Sequence, residues 1–159
     1  MTDFLYTTER YCNNYYSNFS KRFKFINTSQ SYLEGDWGCI YFNKNNYNGF
    51  QVYENSTYIT LLLGGPILKF HNNNHIFSKN NSNIATSLIL KRWLDGEFDP
   101  SNDLSGPFAI LIVNKLNKQT LLFTDLMNFI PIFHYKVKDK IYISSIPEII
   151  SENLNFLKD

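Results

Sequence analysis

The sequence predicts a β-rich α+β domain with long polar loops, and three observations carry that expectation. The chain holds 11 Tyr and 14 Phe but only two alanines, Ala85 and Ala109; aromatic residues favour strands, and the best helix former is nearly absent. Its 21 asparagines cluster between the apolar runs, where they suit turns and left-handed backbone. The Asn, Ile, Lys and Tyr enrichment also suits an AT-rich coding sequence. Finally, the apolar runs are short and punctuated by Gly, Pro and Asn, with few stretches of helical period.

The elements follow in order. Phe4, Leu5, Tyr11, Cys12, Tyr15, Tyr16 and Phe19 recur at three, four and seven, which predicts an amphipathic helix. Residues 1–36 therefore read as a helical or irregular extension. Gly35-Asp36 opens a strand over Trp37 to Phe42, and Asn43 to Gly49 reads as a hairpin loop. Phe50 to Tyr53 and Tyr58 to Leu63 are the next expected strands. The consecutive Leu61, Leu62 and Leu63 suit a strand buried on both faces. Gly64-Gly65-Pro66 ends that run. Asn81-Ser82-Asn83 offers N-cap candidates for a helix through Ile84, Leu88, Ile89 and Trp93, ending near Gly96. Strands are then expected at Phe108 to Val113, Thr120 to Thr124, Ile132 to Tyr135 and Lys140 to Ser144. A last helix spans Ile146 to Leu154, with Pro147 in its first turn. Phe108, Ile110, Ile112, Leu122 and Ile132 are the expected core of the C-terminal half.

Several classes are excluded at this level. The chain of 159 residues has the length of one domain, and no linker or internal repeat divides it. A formal charge of +1 gives no bulk field to attract nucleic acid or an anionic membrane. The longest apolar runs fall far short of the roughly 18 residues that span a bilayer. The first residues show no basic and apolar leader pattern, and two cysteines make no disulfide framework. A cytoplasmic protein with no cofactor is the expectation. His71 and His75 are four apart in an Asn-dense loop, where that spacing has no geometric meaning, so no metal site is expected. His134 lies in an apolar strand and reads as a core or rim residue. Lys21-Arg22-Phe23-Lys24 has too few charges for an RNA surface.

The C-terminal half carries a more specific pattern. Leu104-Ser105-Gly106-Pro107-Phe108-Ala109 leads a strand, followed by Thr120 to Asp125, by Asn128 to Tyr135 and by Tyr142 to Ile150. In order and spacing this resembles the glutaminase domain of asparagine synthetase and its class II glutamine amidotransferase relatives. The resemblance covers residues 37–152, and residues 1–159 are expected to be one domain. It implies an N-terminal-nucleophile-hydrolase-like sandwich, two antiparallel sheets flanked by helices. Asp125, at a strand end, is placed to bond turn amides.

The catalytic pattern of that family is broken. The resemblance implies a terminal cysteine acting as both nucleophile and, through its own amine, base. Here position 2 is Thr2, and no suitable strand follows it. Cys39, in Gly38-Cys39-Ile40, matches the family's first strand and would be terminal only after cleavage behind Gly38; otherwise it is a small buried core residue. Gly64-Gly65-Pro66 stands where the family has its oxyanion asparagine turn, leaving no side-chain donor. Asn81-Ser82-Asn83 stands where a carboxylate should hold the substrate amine. The remnant site is thus Cys39, Gly64, Gly65, Pro66, Asn81 and Asn83, with no catalytic residue and no metal. Trp37, Tyr41 and Phe70 are bulky enough to fill the vacated pocket.

The expected function is a non-catalytic protein-binding domain, of the sort an immunity-type inhibitor uses to neutralise a toxin. The alternatives are an accessory domain of an ATP-dependent amide-forming enzyme, of asparagine synthetase or peptide cyclase type, and a processed hydrolase with Cys39 as nucleophile. The expected partner is a protein, either a toxin or a synthetase-like enzyme.

Overall fold

The computed structural model describes residues 3–10, 19–21, 30–73 and 82–154. It is a mixed α+β chain whose strands pair antiparallel. Two compact units are present, one of Asn45–Ile130 and one joining Thr2–Lys44 to Pro131–Asp159.

The first unit is built on a four-stranded sheet. β5 (Tyr58–Gly64) and β8 (Phe108–Asn114) pair along their whole length, flanked by β4 (Tyr53–Glu54) and β9 (Thr120–Thr124) in the order β4-β5-β8-β9. Both central strands are apolar on both faces and buried throughout their middles. On one face Leu62, Ile110 and Ile112 meet Ala85, Ile89 and Leu90 of helix α1 (Ile84–Leu94) in one cluster. α1 stops where the sequence predicts. Gly96 adopts φ 74°, its amide bonds to Trp93 O at 3.0 Å, and the Glu97 amide bonds to Arg92 O at 3.1 Å. That pair of bonds closes the helix end with a left-handed glycine. Its start differs from expectation: Asn83 is the N-cap residue, but its side chain makes no cap bond. A short helix α2 (Pro100–Asp103) follows. β7 (Leu104–Ser105) then pairs with β6 (Ile67–Leu68). Asparagines hold several of the turns. Asn55 Oδ1 accepts from the amides of Thr57 and Tyr58, and Asn114 Oδ1 from those of Leu116 and Asn117.

The second unit is a five-stranded sheet in the order β10-β11-β1-β3-β2. Its members are β1 (Phe4–Thr7), β2 (Gln30–Gly35), β3 (Gly38–Asn43), β10 (Phe133–Val137) and β11 (Lys140–Ser144), with helix α3 (Pro147–Leu154) after them. Leu5, Phe19, Cys39, Tyr41, Tyr142, Ile149 and Ile150 form its core.

Several expectations change here. Phe4 to Thr7 is a strand at the centre of the sheet, with all residues buried, where the spacing predicts a helix; residues 11–18 of that helix lie outside the described residues. Phe, Tyr and Thr are strand formers, and a strand hydrogen-bonded on both sides outweighs an accidental three-and-four spacing. The boundary expected after residue 36 falls inside the β2–β3 hairpin, where Gly35 opposes Gly38. Phe50 sits in a loop, packed into the α1 cluster, and the expected strand there shrinks to Tyr53–Glu54. Leu122 is 37% exposed because β9 is an edge strand whose Leu121 and Phe123 face the core; Ile132 is half-buried and precedes β10. His134 is exposed on β10.

Candidate functional site

Three of the remnant positions, Gly64, Gly65 and Asn83, border the same loop. Gly64 ends β5, and Gly65 and Pro66 follow it. Asn45 Nδ2 donates to Leu62 O at 2.8 Å and to Gly64 O at 2.9 Å, so the side-chain donor in this neighbourhood is spent on main chain. A Cβ on Gly65 would lie 2.5 Å from the Tyr47 ring. Tyr47 therefore covers the glycine. The start of α1 joins the same loop, because the Gln51 amide bonds to Ser82 O and the Ala85 amide to Gly49 O, both at 2.9 Å. Asn83, partly buried, uses its carbonyl to accept the Ser87 amide. Asn81 and Thr2 lie outside the described residues, but β1 begins at Phe4, so the expectation that no strand follows Thr2 is overturned.

The bulky residues expected to fill a pocket are engaged elsewhere. Trp37 stacks on Tyr6 with ring centroids 6.4 Å apart, and Tyr41 packs with Phe19 and Tyr32. Phe70 carries the Arg92 guanidinium 4.8 Å from its ring centroid. Cys39 belongs to the second unit, 1% exposed in the interior strand β3, between β1 and β2. Cleavage behind Gly38 would cut β1 and β2, both neighbours of β3, from the strand they pair with. Among the described residues no cluster of three His, Cys, Asp or Glu side chains is placed to hold a metal, and no helix is long and apolar enough to cross a membrane.

A different site stands out at the end of β9. Asp125 is buried, and Oδ1 accepts from the amides of Met127 at 3.1 Å and Phe129 at 3.2 Å. Oδ2 accepts from the Phe108 amide at 3.3 Å, and the Asn128 amide closes the turn on Asp125 O at 3.0 Å. Asn128 itself sits at φ 50°, a conformation that Asn tolerates better than most residues. The expected bonding of turn amides by Asp125 is what the structure has. The turn presents Leu126, Met127 and Phe129 at 95%, 71% and 66% exposure.

These side chains border a cavity of about 300 Å³, whose other walls come from Pro100, Ser101, Leu104 to Phe108, and Thr124. Gly64 braces its back. At φ 86° a Cβ there would lie 2.3 Å from Pro107 O and 3.1 Å from Ile130 Cδ1, so only glycine lets β5 approach this closely. The α2 wall is held electrostatically. Arg92 forks onto Asp103, Nε to Oδ2 at 2.7 Å and Nη2 to Oδ1 at 3.1 Å, and Nη1 reaches Glu97 Oε2 at 3.0 Å. Asp103 also accepts the Asp99 amide at 2.9 Å. The Arg92 bonds, against a burial penalty, hold the Asp103 carboxyl below the ordinary aspartate value.

Sequence reasoning placed Asp125 but missed the apolar trio and the Arg92–Asp103 pair. The available signal was Leu126-Met127 inside a turn whose flanking Asp and Asn already satisfy its backbone. No protein-family model matches the chain, and no curated protein matches it.

Proposed function

We propose that the protein is a non-catalytic protein-binding domain, of the kind that an immunity protein uses to neutralise a toxin, on a scaffold of the N-terminal-nucleophile-hydrolase type. The observation that carries this reading is the turn at Asp125 to Phe129. Its three large apolar side chains stand in water beside a cavity, while a buried carboxylate fixes the backbone beneath them. Phe and Met are enriched at the cores of protein interfaces, and a pre-ordered turn lowers the entropy cost of using them. A buried Cys39 and a Tyr47-covered glycine turn support a site that no longer handles glutamine.

The test is site-specific photocrosslinking in a lysate of the native host. A crosslinker at Met127 should capture a discrete protein, whereas one at Leu116, equally exposed on the β8–β9 turn, should not. Capture from both positions, or from neither, overturns the binding reading. The purified chain should release no ammonia from glutamine, and release that depends on Thr2 or Cys39 would overturn the non-catalytic one.

A further inference from the structure

β9 closes one edge of the four-stranded sheet, and its sequence, Thr120-Leu121-Leu122-Phe123-Thr124, reads nearly alike in both directions. The main-chain bonds on either side of the strand set the phase of its ladder. Asn114 N bonds to Gln119 O at 2.8 Å and Asp125 N to Phe108 O at 3.1 Å. With the register Ile112↔Leu121 and Ile110↔Phe123, Leu121 and Phe123 turn their amides and carbonyls toward β8. Leu122 and Thr124 turn theirs away, and among the described residues these groups have no partner.

Sheet edges are ordinarily guarded by charge, proline or shortness. The other edges here obey that rule: β10 carries His134 and Lys136, β2 carries Glu34, and β4 has two residues. β9 has no charge and no proline.

We propose that β9 is a self-association edge, on which two copies of the chain pair antiparallel about a twofold axis through Leu122. In that register Leu122 opposes Leu122 of the second copy, Thr120 opposes Thr124, and Leu121 opposes Phe123. Every pair is compatible, and no charge meets its own copy at the axis. The outward groups of Leu122 exchange a pair of bonds with their mates. The Leu122 side chain, left exposed by its own fold, gains a neighbour. Two strands of five residues bury well under the roughly 1,200 Å² of a standard stable interface, so the dimer has a dissociation constant on the order of micromolar or weaker.

Sedimentation velocity on the full chain, from micromolar to millimolar, reads the equilibrium. Wild type should pass from monomer to dimer, and Leu122→Lys should weaken the dimer by at least about tenfold, because like charges then meet at the axis. An equimolar mixture of Leu122→Lys and Leu122→Glu chains should recover it, which only a contact of residue 122 with residue 122 explains. On the unmodified chain, amide exchange at Leu122 should slow as concentration rises. A wild-type chain monomeric throughout, a dimer indifferent to Leu122→Lys, no recovery on mixing, or exchange independent of concentration would each overturn the proposal. A failure here leaves the partner-binding reading of the Asp125 turn standing, although Thr124 belongs both to this edge and to the cavity wall.

Discussion

Replacing Asp125 tests the structural basis of the candidate site directly. Asp125→Ala removes the acceptor of the Phe108, Met127 and Phe129 amides at once. Hydrogen bonds to a charged acceptor contribute about 1.5–3 kcal/mol each, but the amides of Met127 and Phe129 lie in an exposed turn where water replaces much of that. The Phe108 amide belongs to a buried strand residue, and leaving such a donor unpaired costs about 1–3 kcal/mol. The sum expected for Asp125→Ala is about 2–4 kcal/mol. Asp125→Asn keeps an acceptor for the turn but sets an amide donor against the Phe108 N–H, so it should cost about 1–2 kcal/mol. Urea unfolding reads both. With a slope of about 2 kcal/mol per molar, the middle of the usual range, the Ala variant should lose about 1–2 M in midpoint at unchanged slope. Two variants within about 0.5 kcal/mol of wild type, or Asn as damaging as Ala, would refute the reasoning.

Two further outcomes follow from the first unit. Phe108→Ala opens a void in the cluster shared with Leu62, Ile110 and Ile89 and should cost about 3–5 kcal/mol; a loss below about 1 kcal/mol, measured by chemical unfolding, would make β8 peripheral. Asp103→Asn should lower stability at pH 7, with the gap to wild type closing as pH falls below the ordinary aspartate value of 3.8. The sign follows from linkage: the folded pKa is depressed, so the contribution is present above the unfolded value and lost as pH falls through the folded one. Asp3, raised by burial, acts with the opposite sign, so the variant difference, and not the wild-type curve alone, isolates Asp103. A gap that stays constant from pH 7 to pH 2 would remove the Arg92 pair as the cause.

Much of the fold was legible where local chemistry and tertiary role agree. α1 begins directly after Asn83 and ends at Leu94, two residues before Gly96, because a left-handed glycine is a common mark of a helix end. β8 and β5 were legible as continuous apolar runs, the mark of strands buried on both faces. β1 was not, because a four-residue strand in mid-sheet has no alternation to read, and aromatic density alone produced a helical spacing. Leu122 failed for a different reason. Alternation assigns faces, but whether a strand lies at the centre or the edge depends on the strand order, which no window of sequence contains. The Arg92–Asp103 pair likewise joins the last turn of α1 to the end of α2.

The candidate site shows how polar residues can encode apolar exposure. Leu126, Met127 and Phe129 in a slack loop would fold down and bury themselves, since removing apolar surface from water is favourable and a free backbone does not resist. Here the resistance is specific. Asp125 binds the amides on both sides of Asn128, Asn128 takes the left-handed conformation that lets the turn close, and Pro107 with Gly64 fixes the wall behind. The exposed side chains are thus held out by residues that look, in sequence, like ordinary turn chemistry. A window scored for hydrophobicity sees Leu-Met as a fragment of core, and one scored for turns sees Asp and Asn as solvent-facing. Only the hydrogen bonds reverse both readings, burying the carboxylate and leaving the leucine in water.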